Sequence, residues 1–114
     1  MRREVERMTK TDAIARRILG WKLNRWDRWF DYEKGVFIND SEFQPEQNLV
    51  HAMLVVERLE KLGYRFSSNG VSEAAFNQFK GTGENFPEAI TNAAYAIIEN
   101  DSVVSSSSLW RKLS

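Results

Sequence analysis

The sequence predicts one small α+β domain, an α/β/α sandwich in which a largely antiparallel sheet of two hairpins is covered by about three helices. A length of 114 residues suits a single domain. The hydrophobic fraction of 42%, with seven Phe and four Trp, can supply one core. A hairpin pattern followed by a helix pattern occurs twice along the chain, which is typical of a mixed α and β domain.

The first helix is predicted from apolar residues at roughly helical spacing over positions 5–19, and whether residues 1–10 join it stays open because Thr9 and Thr11 are weak helix formers. Asp12 is a candidate N-cap for the segment 13–19, and Gly20 is expected to end the helix. Over positions 21–38 the apolar period shifts towards two. This shift predicts a β-hairpin with room for a third short strand.

The middle helix, predicted over residues 45–62, has the clearest pattern in the chain. Pro45 suits a first helical turn because its missing N–H costs nothing there, and Gly63 suits the end. One side of the helix is apolar, so we expect it to cover a sheet. The apolar residues are Leu49, Ala52, Met53, Val56 and Leu59.

A second hairpin is predicted after the middle helix. Its strands are residues 64–66 and 74–79, joined through an Asn-Gly pair that is a strong turn signal. Residues 80–85 are expected to form a loop, and Pro87 to open the final helix.

The end of the chain has a different composition. Four consecutive serines at 105–108 are typical of a flexible linker, and they precede a Leu-Trp-Arg-Lys segment. The sequence therefore predicts a single α+β domain over residues 1–100 and a Ser-rich flexible tail over 101–114.

Composition excludes several classes of function. Sixteen basic and sixteen acidic residues give no net charge, which argues against a general nucleic-acid binder. The absence of Cys and the single His51 exclude thiol chemistry and His clusters. We therefore predict no catalytic residues, no metal site and no cofactor. No apolar run approaches the roughly 18 residues that cross a bilayer, so we expect no membrane partner and a cytoplasmic location.

Several motifs resemble one family. Ile18-Leu19-Gly20-Trp21 follows a short helix, and Phe43-Gln44-Pro45 precedes the middle one. Phe86-Pro87-Glu88-Ala89-Ile90 opens the last helix. Together these segments resemble the phage ABA-sandwich domain family of small bacteriophage and prophage proteins, over residues 12–99. The resemblance implies an α/β/α layering, a phage origin and action in the host cell cytoplasm. The family has no assigned activity, so it supplies no catalytic residues.

The segment 21–30 alternates aromatic and basic residues, and it is the first candidate site. On a continuous strand, Trp26 would share a face with Lys22 and Arg28. That face could anchor a protein partner or stack bases. In the simpler interpretation Trp21, Trp29 and Phe30 belong to the core. The candidate partner-binding residues are Arg25, Trp26, Arg28 and, in the tail, Trp110.

Charge is distributed unevenly along the sequence. Residues 1–30 hold nine basic and four acidic side chains, whereas residues 31–101 hold five basic and twelve acidic ones. Opposite patches could orient a partner, and an acidic body could imitate nucleic acid. Ordinary solvated helix faces would give the same counts.

A glycine pair near position 82 suggests a second candidate, a loop for a small nucleotide-like ligand. Its candidate residues are Arg65, Lys80, Gly81, Thr82 and Gly83. A turn is the ordinary explanation of such a pair, since the further residues of a phosphate-binding motif are missing.

These observations predict a phage-encoded accessory protein that is not an enzyme. Its expected role is to bind or inhibit a host macromolecule, for example a host defence protein. The alternative is a protein that binds or sequesters a small nucleotide-like ligand. The expected partner is a host protein, homo-oligomerisation stays open, and nucleic acid is disfavoured by the net charge.

Overall fold

The protein, described by a computed structural model, has its backbone defined over residues 9–113 and its side chains over residues 9–100. This part of the chain contains two antiparallel sheets of three strands each, together with helices. The predicted small α+β sandwich is confirmed. The sequence suggested a single sheet, but the strands form two. Each predicted hairpin pairs with a third strand of its own, and no described strand joins the two sheets.

Helix α1, Lys10–Ala13, continues as one π-helical segment, Ile14–Ile18. The part of the predicted first helix that falls on residues 5–8 lies outside the described residues. Its N-cap is Thr9, whose hydroxyl oxygen accepts the backbone N–H of Asp12 at 3.0 Å. The prediction of Asp12 as the cap is therefore wrong, because the helix begins earlier and Asp12 lies in its first turn. A carboxylate is favourable there beside the positive end of the helix dipole.

The first sheet contains β1 (Lys22–Leu23), β2 (Arg28–Asp31) and β3 (Val36–Asn39) in that order. The predicted third strand is confirmed. Asn24 closes the β1–β2 turn, since its Oδ1 accepts the backbone N–H groups of residues 26 and 28. That turn interrupts the alternation that a continuous strand would have had.

Helix α2, Leu49–Lys61, begins four residues later than predicted. Asn48 caps it by accepting the backbone N–H groups of residues 50 and 51, and Pro45 is buried in the turn before it. Leu49 is exposed and is not part of the buried stripe. The main neighbours of α2 are the first and last helices, where we predicted a sheet.

The second sheet contains β4 (Phe66–Ser68), β5 (Glu73–Phe76) and β6 (Phe79–Thr82). A tight turn divides the strand predicted over 74–79, and Asn77 takes a φ of +57° there. Asn tolerates this left-handed conformation better than most residues. The predicted loop over 80–85 is consequently a strand as far as Thr82.

Helix α3, Phe86–Leu113, starts where the sequence predicted. Asn85 caps it by accepting the backbone N–H of Glu88 at 2.9 Å. Its backbone stays helical through the serine run, which contains neither Gly nor Pro to stop it. Because side chains are described only as far as residue 100, the flexible tail stays a prediction.

Two buried clusters hold these elements together. The larger one joins the three helices to the inner side of the second sheet, with Ala-rich α3 packed on β5 and β6. The smaller one lies beneath the first sheet and consists of Ala15, Trp21, Trp29 and Phe43. Within the described residues, no helix is long and apolar enough to cross a membrane.

Candidate partner-binding face

The first sheet has an inner side built for burial. Leu23, Trp29 and Ile38 are cross-strand neighbours, and they pack in the smaller cluster. Trp29 is fully buried, and its indole Nε1–H donates to Asp40 Oδ1 at 2.9 Å. Successive side chains on a strand point to opposite sides, so the residues between these ones face outward.

The outer side of the same sheet carries aromatic rings. Phe30 lies between Lys22 and Phe37 in the cross-strand register. Its ring centroid is 4.9 Å from that of Phe37 and 4.8 Å from that of Tyr32, which meets it edge-on. Phe37 and Tyr32 are each 55% exposed. The rings therefore form a ridge that the described part of the chain leaves open to solvent.

Cations surround the ridge. Lys22 and Arg28 project from the outer side, and Arg25 lies in the β1–β2 turn. The Arg25 guanidinium stands 5.4 Å from the ring centroid of Trp26, which is 69% exposed. None of these three cations forms an ion pair with a described residue. We call the resulting surface the aromatic–basic face, formed by Lys22, Arg25, Trp26, Arg28, Phe30, Tyr32 and Phe37.

One carboxylate of the first sheet is buried, and another lies exposed beside the face. Asp31 is the only acidic residue in the three strands, and it is 3% exposed. Its Oδ1 accepts the backbone N–H groups of Glu33 and Lys34, so the carboxylate closes the β2–β3 turn. Glu33 is paired with Lys61 at 3.3 Å and with Arg58 at 3.7 Å. Asp27 is the exposed carboxylate of the β1–β2 turn, next to Arg28 in sequence.

The structure brings three of the four predicted anchors together. Arg25, Trp26 and Arg28 lie at neighbouring exposed positions, and their role in binding stays a prediction. Trp110 lies outside the residues whose side chains are described. Lys22 and Arg28 share one face as predicted, whereas Trp26 belongs to the turn.

The sequence interpretation missed the ridge itself. The simpler of its two interpretations placed Phe30 in the core beside Trp29, but Phe30 is only partly buried and faces outward. The alternation of side chains within β2 could have shown this. If Trp29 is buried, Arg28 and Phe30 must point to the opposite side of the sheet. Phe37 and Tyr32 could then be found only from the register that places them next to Phe30.

The prediction that residues 80–85 form a ligand-binding loop is wrong for its first three residues. Lys80, Gly81 and Thr82 belong to β6, and Gly81 is buried against α3. A Cβ at Gly81 would overlap the backbone nitrogen of Ala93, and one at Gly83 would come 2.8 Å from Glu88 Cβ. Both glycines therefore permit close packing of the sheet on the helix.

Lys80 and Thr82 instead border an open groove of about 390 Å³ on the outer side of the second sheet. Ser67 and Asn69 also line this groove. Arg65 lies beyond the start of β4, where its backbone N–H donates to Asn77 Oδ1 at 2.9 Å.

A smaller cleft of about 160 Å³ separates the first sheet from α2. Its polar lining includes Asp31, Glu33 and Arg58. Asp31 and Glu33 have the structural partners described above, and Arg58 Nε–H donates to the Ile18 carbonyl at 3.2 Å. These three groups connect the sheet to the helices, and Tyr32 and Glu57 also line the cleft.

His51 also has a structural role. Its Nδ1 accepts the backbone N–H of Gln44 at 3.1 Å, and its ring packs on Phe43 with centroids 5.4 Å apart. Burial lowers the pKa of His51 below its ordinary 6.5, against the opposing effect of Glu42. A neutral imidazole is required to accept that hydrogen bond.

Comparison with known families gave one match. The family described as the phage ABA sandwich domain matches residues 12–95. Comparisons with curated proteins and with solved structures found no match. The matched region includes all six strands, so the aromatic–basic face lies within the family's domain.

Proposed function

Because this chain belongs to the phage ABA sandwich domain family and is thus a phage protein, we propose that it is an accessory protein acting in the host cytoplasm. It binds a negatively charged host macromolecule and catalyses no reaction. The observation that supports this proposal is the aromatic–basic face on one side of the first sheet, where exposed rings lie beside cations that form no ion pair with a described residue.

The composition of the face suits binding. Trp, Tyr and Arg are the residues that most often dominate binding energy at interfaces. Contiguous exposed apolar surface on a small protein is uncommon unless a partner covers it. Lys22, Arg25 and Arg28 add a local positive charge, which favours an acidic partner and helps to orient it.

Binding alone is enough for an inhibitor. A partner whose activity requires its acidic surface is inhibited when that surface is covered. A host defence protein is one target of this kind, and it stays a prediction, as does homo-oligomerisation.

A capture experiment with matched variants tests the proposal. The wild-type chain, a double variant R28E/F37S and a control K80E would be immobilised and exposed to host lysate. Lys80 is an exposed cation on the outer side of the other sheet, so K80E changes charge without touching the face. We expect wild type and K80E to retain the same species, eluting with salt, and R28E/F37S to lose it. Retention that is equal in all three would contradict the proposal.

A small nucleotide-like ligand is the second candidate, supported by the groove beside Lys80 and Thr82. A ligand that binds only the folded state raises the melting temperature. A nucleotide panel should therefore raise the Tm of the wild type and not that of K80E. No shift with any nucleotide would remove this candidate.

A further inference from the structure

We propose, building on the binding role above, that the acidic partner of the aromatic–basic face is a single-stranded nucleic acid. The net charge of zero argued against nucleic acid when only the sequence was considered. A ligand on this face experiences the charge of the nearby side chains more strongly than the net charge of the whole chain. The local charge is therefore the quantity that decides. Three cations lie there with one exposed carboxylate, Asp27, so the local charge is positive, and the sheet's own carboxylate at Asp31 is buried on the opposite side.

The size of the face favours a short strand over a folded protein. Strands about 4.8 Å apart with about 3.4 Å per residue make this three-stranded sheet roughly 10 Å wide and 14 Å long. A stable protein interface usually draws on roughly 20–30 residues from each partner. Only about half of the strand residues point outward here. A platform of this extent accommodates a few nucleotides.

The aromatic side chains supply stacking surfaces at two places. Phe30 and Phe37, on neighbouring strands, form the ridge together with Tyr32. Trp26 stands at the end of the sheet with Arg25 against its ring. A base can stack on an aromatic ring whatever its identity, and nearby cations then hold the phosphates between stacked bases. Single strands present both groups, whereas a duplex hides its bases.

Fluorescence anisotropy with labelled twelve-residue oligo-dT and oligo-rU tests this inference. The same length of duplex DNA and a polyglutamate peptide serve as competing probes. We expect the single strands to bind and to out-compete both others. With three phosphates neutralised, the affinity should fall about 20-fold between 50 and 200 mM salt.

Variants separate stacking from charge. F37A should weaken single-strand binding at least about five-fold through lost stacking, and R28A should reduce the salt dependence by about one phosphate. V71A and K80A are the matched controls, because Val71 and Lys80 are an exposed apolar residue and an exposed cation away from the face. Both controls should bind like wild type.

Three outcomes would overturn the inference. Equal binding of duplex and single strand would exclude stacking, and polyglutamate binding insensitive to F37A would reduce the effect to charge. Absence of oligonucleotide binding, together with lysate capture of a protein that R28E/F37S abolishes, would identify a protein partner. In that last case the proposed function stands and only the nucleic-acid assignment fails; if capture fails as well, both fail.

Discussion

Each of the two sheets has three antiparallel strands and buries one side against the rest of the protein, yet their outer sides differ in chemistry. The second sheet exposes small and polar side chains, namely Ser67, Glu73, Lys80 and Thr82. The first sheet exposes Phe37 and Tyr32 beside cations without an ion-pair partner in the described part of the chain. Folding requires an apolar inner side from both sheets, and it requires exposed rings from neither. The requirements of folding therefore do not account for the difference, and the binding role proposed for the first sheet rests on it.

The largest expected effect separates the two sides of the first sheet. Trp29→Ala should lower the free energy of unfolding by about 3–5 kcal/mol, because it empties a buried site and removes the bond to Asp40. Phe37→Ala, on the outer side, should lower it by no more than about 1 kcal/mol, the contribution of its cross-strand ring contact with Phe30. Urea denaturation measures both. Similar losses would mean that Phe37 is structural and would undermine the comparison.

The next largest effect distinguishes the buried side of the second sheet from its exposed side. Gly81→Val should destabilise the protein by about 2–3 kcal/mol, since the new side chain would collide with the α3 backbone at Ala93. Thr82→Val, one residue further on and exposed, is the matched control and should be tolerated. Thermal melts of the two variants give the result. A stable Gly81→Val protein would show that sheet and helix can separate at low cost.

Two asparagines offer a closer comparison. Asn24 in the first sheet and Asn69 in the second each accept backbone N–H groups in a turn. Replacing either by Ala should cost about 1 kcal/mol of stability. Only Asn24→Ala should also weaken oligonucleotide binding, because its turn carries Arg25 and Trp26. Equal binding by both variants would remove the turn from the proposed site.

The smallest expected effect is a pH dependence of folding stability that arises from His51, whose ring packs on Phe43 of the cluster beneath the first sheet. The pKa of His51 is lowered in the folded state by burial, so below about 6.5 the unfolded chain binds more protons than the folded one. Stability should therefore be full above that pH and fall as the pH drops through the lowered pKa. His51→Gln should reduce this loss between pH 7 and 5.5, as measured by Tm. An unchanged pH profile would show that His51 does not contribute.

Local patterns predicted much of the fold. Glycine and proline signals correctly placed the end of the first helical segment before Gly20 and the start of α3. They failed where a side-chain cap determines the start of a helix. Asn48 caps α2, which therefore begins at Leu49 and not at Pro45. The turn at Asn77 escaped detection because Asn-Gln is a weaker signal than Asn-Gly.

The candidate site was only partly predictable. Arg25, Trp26 and Arg28 were found from composition, since basic and aromatic residues alternate there. Phe30 was misassigned because the turn at Asn24 resets the alternation before β2 begins. The ridge depends on the pairing of Phe30 with Phe37, which are seven positions apart in the sequence and adjacent across two strands.

The sequence by itself determined the α+β class, the two hairpins, the family and the presence of an aromatic and basic segment, because these follow from periodicity and short motifs within a few neighbouring residues. Only the tertiary structure decided that the strands form two sheets, that Gly81 is a packing residue and that the rings of β2 and β3 face solvent. Which side of a strand is buried depends on what packs against it, and that neighbour comes from a distant part of the chain.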